Sequence, residues 1–484
     1  GGTVSLTQNQ FYAATSGAQS TAVLAQSIGG GGGTGGSANY FDATIGFNAA
    51  FVLGGSGGDG GDGDDVTIDL SSGTIATGLS ASSTSKYAPN NATGILAQSI
   101  GGGGGNGGST SAGDFLVAAP TGTGVPLAFN YVATVGGNGG NAGAGGDVTV
   151  TYDQPSRLTT IGDASHGILA QSVGGGGGNG GDASALTATL GDKDTVESTA
   201  TVALGGGTGN ALSDFNMDYA FTTSGGGNGG EVNVTLGTYG SSSNSGSTTA
   251  TKLTSLAPES TLFTFGDGAH GVLAQSIGGG GGNGGLGNSN AYSQGGIASL
   301  EAKISLGGQG GSGGDGSSVE IHNFAGYTVQ TQGSGSKGLV GQSIGGGGGN
   351  SQGGTVYLGV GASSVSGSMS LGVGAIGGSG GNGGTIYAEQ YGRIETFGGD
   401  SDGVVLQSIG GGGGIGGSLG NDASSHKVLD AIGALKKQIK RLSDAGASYS
   451  FTVDVGGGGG SGGDGNQVKY YHDGQIITQG AWAD

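Results

Sequence analysis

Six times along the chain a mostly apolar hexapeptide runs into a block of five glycines. The first copy is Val23-Leu24-Ala25-Gln26-Ser27-Ile28, and the others begin at Ile95, Ile168, Val272, Leu339 and Val404. Their glutamines, Gln26, Gln98, Gln171, Gln275, Gln342 and Gln407, lie 72, 73, 104, 67 and 65 residues apart. This repeat constrains the fold more than any other feature, because one such unit cannot bury its own apolar face whereas stacked units can. A continuous array therefore replaces the roughly three domains that the length alone suggests. Approximate copies span 1–53, 54–135, 136–225, 226–306, 307–376 and 377–455, with a partial copy at 456–484.

Composition narrows the classes. Glycine supplies 127 of 484 residues and proline only 5, which excludes collagen, where glycine at every third residue goes with abundant proline. With 33 acidic against 13 basic residues the net charge is -20, which repels phosphate backbones and argues against nucleic acid as a partner. There is no cysteine, so regular backbone pairing rather than disulfides must hold the chain. No run of 18 apolar residues suggests a membrane-spanning helix. The opening Gly1-Gly2-Thr3-Val4 matches Gly383-Gly384-Thr385-Ile386, and both ends read as cut from a longer array. Any membrane attachment would then run through an anchor outside this chain.

Each copy has a common layout: the hexapeptide, a glycine tract, a variable segment, a second glycine tract and two short strands. Val66-Thr67-Ile68-Asp69-Leu70, Val148 to Tyr152, Val232 to Leu236 and Val319 to Ile321 alternate apolar and polar residues, as half-buried strands do. The second strands are read at 74–77, 158–161, 262–265, 327–331, 393–397 and 475–478, with Gly162-Asp163 and Gly266-Asp267 as closing turns. Three short strands per copy, stacked in register, predict an all-β, elongated parallel β-solenoid. Within the hexapeptide, Leu96, Gln98 and Ile100 share one face, and Ile95, Ala97 and Ser99 the other. The expectation is that the glutamine face points inward, where six amides bond into a ladder.

The glycine tracts keep a triplet phase. Residues 101–109 parse as GGG-GGN-GGS, 307–315 as GGQ-GGS-GGD and 377–385 as GGS-GGN-GGT. Three residues per turn matches a left-handed polyproline-II-like helix with two bare faces. Ordering glycine costs roughly 0.5–1 kcal/mol per residue relative to alanine. An isolated tract does not recover that, so GGX helices packed alongside the solenoid are expected, with β-turn loops or a flexible linker as alternatives. Ser351-Gln352 breaks the triplet after Asn350, and that helix is expected to be shorter or frayed.

Two regions differ. Copy three is longest, and its extra length is read between Ala183 and Ser224 and between Gly237 and Ser260, as loops leaving one face. Residues 425–445 carry Val428, Leu429, Ile432, Leu435, Ile439 and Leu442 at helical spacing with five Lys or Arg between 427 and 441. One short α-helix is expected there, shielding a strand edge or meeting an anionic surface.

Chemistry is sparse. Asp59, Asp62, Asp64 and Asp65 lie in a run similar to a calcium-binding nonapeptide. The corresponding tracts carry Asn, Ser or Gln, so no metal and no cofactor is the primary expectation, with calcium at these four aspartates as the alternative. His166 and His270 hold one repeat position where other copies have Thr93 or Asp402. A base that duplication replaces is not catalytic, and both read as surface positions. No nucleophile–base set emerges, and the chain is read as not an enzyme.

The run from His166 through the glycines to Gly181, and its match from His270 to Gly285, resembles the passenger-region repeats of large glycine-rich bacterial autotransporters. These are type V secreted proteins with a C-terminal outer-membrane β-barrel. The resemblance implies a solenoid passenger domain at the cell surface, or in the extracellular space, of a Gram-negative bacterium. The expected function is a structural or adhesive rod or fibre that presents variable loops. Its expected partners are further copies of itself or the glycans of host or neighbouring surfaces. A carbohydrate- or ice-binding surface is the alternative, and a polysaccharide-active enzyme the third reading.

Overall fold

The computed structural model describes residues 1–79, 90–119, 124–207, 224–237, 260–358, 365–418 and 449–482. Among these residues the regular structure is all β, and it forms a parallel solenoid. The second coil shows the plan. Val66–Ser71 belongs to sheet I, Thr74–Thr77 to sheet II and Ile95–Ile100 to sheet III. A glycine tract at 101–109 leads out to Thr110–Val117 of sheet IV, and Leu127–Val135 of sheet V turns back. A second tract then returns the chain to sheet I at Val148–Asp153. Sheets I and II contain seven strands each, III and V six, and IV five. Every pairing is parallel and joins a strand to its counterpart one coil on, as in Val66↔Val148↔Val232.

A coil thus holds five strands rather than three. The segments read as variable are strand pairs: Ala183–Leu190 and Val196–Leu204 pair in register with Thr110–Val117 and Leu127–Val135. The first insertion of copy three is therefore shorter than the sequence suggests. It falls at 208–223, inside the second tract, while the other falls at 238–259, between sheets I and II. The residues that flank them lie in different parts of the coil. Both lie outside the described residues, as does the helix expected at 425–445.

Three compartments make up the cross-section. Sheets I, II and III enclose an apolar core in which Val66, Ile68, Ile75, Ile95 and Ala97 repeat from coil to coil. Each buried Val, Ile or Leu contributes about 1.5–3 kcal/mol, so stacking is what makes the short strands stable. Sheets IV and V face each other around a smaller cluster that includes Ala50, Val52, Ala112 and Val132. The glycine tracts connect the two.

One hydroxyl bond closes the same corner in successive coils. Thr160 donates to the carbonyl of Ser165, Thr264 to Ala269, Thr331 to Ser336 and Thr396 to Ser401. The threonine ends the inward face of sheet II and ties it to the turn before sheet III.

Candidate functional site: the repeated strand, its glycine bundle and the buried polar interior

The repeated hexapeptide divides its labour by face. Ile95, Ala97 and Ser99 are buried, whereas Leu96, Gln98 and Ile100 face outward and are half-buried. The glutamines do form a ladder: Gln26 donates to Gln98 at 2.6 Å, Gln98 to Gln171 at 2.7 Å, Gln171 to Gln275, Gln275 to Gln342 and Gln342 to Gln407. It runs along the outer face, which corrects the inward placement. The inner space is already taken by sheets I and II, and it accepts alanine but not glutamine. In the fifth copy Gly341 stands in for that alanine, and Leu406 of the next coil fills the room, 3.0 Å from where a Cβ would lie.

The serine of the hexapeptide is a clip. Ser99 donates to the carbonyl of Asp64 and accepts from the N–H of Gly146, both at 2.8 Å. Ser172 bonds Gly146 and Gly230 in the same way, and Ser276 bonds Gly230 and Ser317. Each serine thereby pins the end of sheet III to the ends of two returning tracts.

The tracts form a packed bundle with regular bonding. The first residue of a triplet donates to the same tract one coil on, as Gly104 does to Gly176 at 2.9 Å. The second donates to the antiparallel tract alongside, as Gly105 does to Gly58 at 2.8 Å. Where the counterpart is an asparagine, the third donates to its side chain: the N–H of Asn179 to Asn106 Oδ1, that of Asn283 to Asn179, that of Asn350 to Asn283 and that of Ile415 to Asn350. This explains the Asn and Asp at third positions, since each supplies an acceptor to its neighbour's backbone. At about 0.5–1.5 kcal/mol per bond, two or three bonds per triplet offset the ordering cost of its glycines.

Close approach selects the glycines. A Cβ on Gly104 or Gly105 would lie 2.0 Å from a neighbouring carbonyl oxygen, whereas on Gly103, a third position, it would have 3.4 Å. The interruption at Ser351-Gln352 does not fray the tract. Ser351 N–H donates to Ile415 and Gln352 N–H to Gly308, while the Ser351 hydroxyl donates to Ala375. The backbone bonds of the tract are kept, and the Ser351 side chain adds one more.

The four aspartates considered for calcium act as backbone acceptors here. Asp59, Asp62 and Asp65 accept the N–H groups of Asn141, Ala144 and Asp147. Asp64 accepts from Thr3 and from the N–H of Asp65, which hold its carboxyl below the usual range. Among the described residues no three His, Cys, Asp or Glu side chains converge on a metal position.

His166 and His270 are not free surface residues. Their rings stack 5.0 Å apart, with His166 Nδ1 accepting the N–H of His270 and His270 Nδ1 accepting that of Lys337, both at 3.1 Å. Burial and the neighbouring ring push His166 down to about 4, and burial and Lys337 lower His270 as well. The column continues to Lys337, which pairs with Asp402 at 2.5 Å.

Sequence reasoning missed the interior between sheets IV and V. In coils three and four it is polar: Thr187 bonds Thr201 at 3.0 Å, Thr189 bonds Thr199, and Ser293 bonds Glu197. Lys303 is wholly buried and pairs with Glu301 at 3.2 Å. Burial raises the carboxyls of Glu197 and Glu301, and Lys303 offsets part of the rise at Glu301. The only signal in the sequence was alternation of small polar residues with apolar ones, in the sense opposite to a core strand.

No family model matches the chain, no curated protein matches it, and no solved structure matches it.

Proposed function

We propose that the chain is a non-enzymatic structural segment of a bacterial surface protein, a stiff array that holds variable segments at fixed intervals. One observation carries this reading. Every strand, glutamine rung and glycine tract bonds to its counterpart one coil on in unchanged register. Such stacking propagates through nearest neighbours and extends by adding coils, each contributing about 4.8 Å of length. The likeness of the repeated words to autotransporter passengers supports a Gram-negative cell-surface or extracellular location. It also supports anchoring through a segment outside this chain.

The alternation of fixed strands with connections of unequal length supports a presenting role. Residues 78–94 join sheets II and III in one coil, and 162–167 do so in the next. Two measurements test the reading. Under force the chain is expected to yield in steps of about one coil, and a single all-or-none event would count against an array. Antibodies to the chain are expected to label intact cells of the source bacterium, and labelling only after lysis would refute a surface location.

A second reading rests on the exposed asparagine row, Asn106, Asn179, Asn283 and Asn350, one per coil. Polar groups repeated at coil spacing suit a carbohydrate or ice lattice. Binding on a glycan array or thermal hysteresis would favour it over a purely mechanical role. Release of products from polyuronates would instead make the chain an enzyme.

A further inference from the structure

Sheets IV and V carry aromatic rings on their outer faces in the first two coils. Phe41, Phe47, Phe115 and Phe129 point to solvent, at 80, 65, 37 and 43% exposure. Their chain neighbours Asp42, Asn48, Asp114 and Asn130 point to the interior. A shift of one residue would bury the rings and expose the polar groups. That shift would also expose Ala50, Val52, Ala112, Leu116 and Val132, so the observed register keeps an apolar lining and four polar groups inside together.

The four polar residues form a two-by-two set. Asp42 and Asp114 are register partners in sheet IV, and Asn48 and Asn130 are register partners in sheet V. Partners on adjacent parallel strands lie about 4.8 Å apart. Across the gap, the Asp114 carboxyl lies against the amides of both Asn48 and Asn130. Asp114 is 3% exposed and Asn130 0%, yet neither carboxylate oxygen of Asp114 and neither amide atom of Asn130 has a hydrogen-bond partner. The hydroxyl of Thr44 is likewise buried and unpaired. Asp42 is held in place by the Tyr40 hydroxyl at 3.0 Å and the N–H of Ala43 at 2.8 Å.

We propose that this gap binds a calcium ion through the carboxylates of Asp42 and Asp114 and the amide oxygens of Asn48 and Asn130. The donor set is all oxygen, which suits a hard cation and not zinc or copper. Two carboxylates on adjacent strands call for a divalent charge. Side chains projecting from rigid strands do not form a regular octahedron, and calcium tolerates irregular geometry and bidentate carboxylates where magnesium does not. Water completes the six to eight ligands that calcium takes. The site is separate from Asp59, Asp62, Asp64 and Asp65, and its occupancy does not depend on the surface role.

The test is calcium titration into the EDTA-treated 484-residue chain near neutral pH, by calorimetry and thermal unfolding. One saturable calcium event per chain is expected, with a melting midpoint several degrees higher. Magnesium is expected to shift it less, and sodium at equal ionic strength not at all. Asp114→Asn, nearly isosteric, abolishes the event, while Asp64→Asn on the glycine tract leaves it intact. Should Asp114→Asn fail to fold, Asn48→Ala keeps both carboxylates and is expected to weaken calcium about tenfold or more. No uptake at about 1 mM calcium overturns the proposal. So does unchanged affinity in Asp114→Asn, or in Asn48→Ala.

Discussion

The side-chain amide of Gln98 donates to Gln171 across two coils at 2.7 Å, from a position half open to water. Gln171 in turn donates to Gln275, so one residue serves two rungs. Water competes for each bond, which limits its net worth to about 0.5–1.5 kcal/mol. Gln171→Ala is therefore expected to cost about 1–2 kcal/mol by chemical denaturation. Hydrogen exchange should speed up locally, at 168–173 and the strands on either side, with the rest of the array unchanged.

Gly105 and Gly103 are two residues apart and should respond oppositely to alanine. At Gly105 the added methyl meets the carbonyl oxygen of Gly33 at 2.0 Å, and backbone must move. A loss of roughly 3 kcal/mol is expected. At Gly103 there is room, and the less flexible unfolded chain makes the change neutral or stabilising by about 0.4–1 kcal/mol. Paired denaturation curves decide the matter, and equal losses at the two sites would contradict the packed bundle.

The stacked histidines predict a pH dependence with a definite sign. His166 falls from its ordinary 6.5 to about 4 in the folded chain, so above 6.5 it is neutral in both states and adds nothing. Between 6.5 and about 4 the unfolded chain takes up the proton first, and stability declines as pH falls. The full decline is about 3 kcal/mol. His166→Thr, which places at this rung the residue that Thr93 already supplies one coil earlier, should flatten that slope. The comparison of the two proteins across pH 4 to 7 isolates the effect from that of Glu197 and Glu301, which are shifted upward.

Lys303 and Glu301 are a buried pair, and breaking one half should cost more than removing both. Lys303→Met leaves Glu301 without its counter-charge in a dry interior, at an expected loss of about 3–5 kcal/mol. Adding Glu301→Gln should restore part of it, because the carboxyl that Lys303 had balanced is then gone. A double mutant no more stable than Lys303→Met alone would mean that the pair is not coupled.

Several elements were readable from the sequence because one physical signal dominated each. Val66, Ile68 and Leu70 alternate against Thr67 and Asp69, so the inward face of sheet I was evident. The triplet phase of residues 101–109 favoured a packed helix of three residues per turn over β-turn loops or a flexible linker, since bonding within a bundle offsets the cost of ordering glycine. The strands of sheets IV and V left no such mark. Val196–Leu204 turns Glu197, Thr199 and Thr201 inward, so its alternation runs in the sense opposite to that of a core strand.

By itself the sequence determined the repeat, the apolar face of sheet I and the glycine phase. Those follow from spacing, and spacing is a property of the chain. Tertiary structure decided which side of the hexapeptide faces in. Alternation separates Leu96, Gln98 and Ile100 from Ile95, Ala97 and Ser99, but it does not rank two faces that both carry aliphatic residues. The outer face is the bulkier one. The choice falls to Ala97 because the space left by Val66 and Ile68 admits a methyl, and to Ser99 because its hydroxyl meets Asp64 and Gly146 only from inside. The same holds for Asp114, whose company of Asn48 and Asn130 exists only once two strands of two coils have been brought face to face.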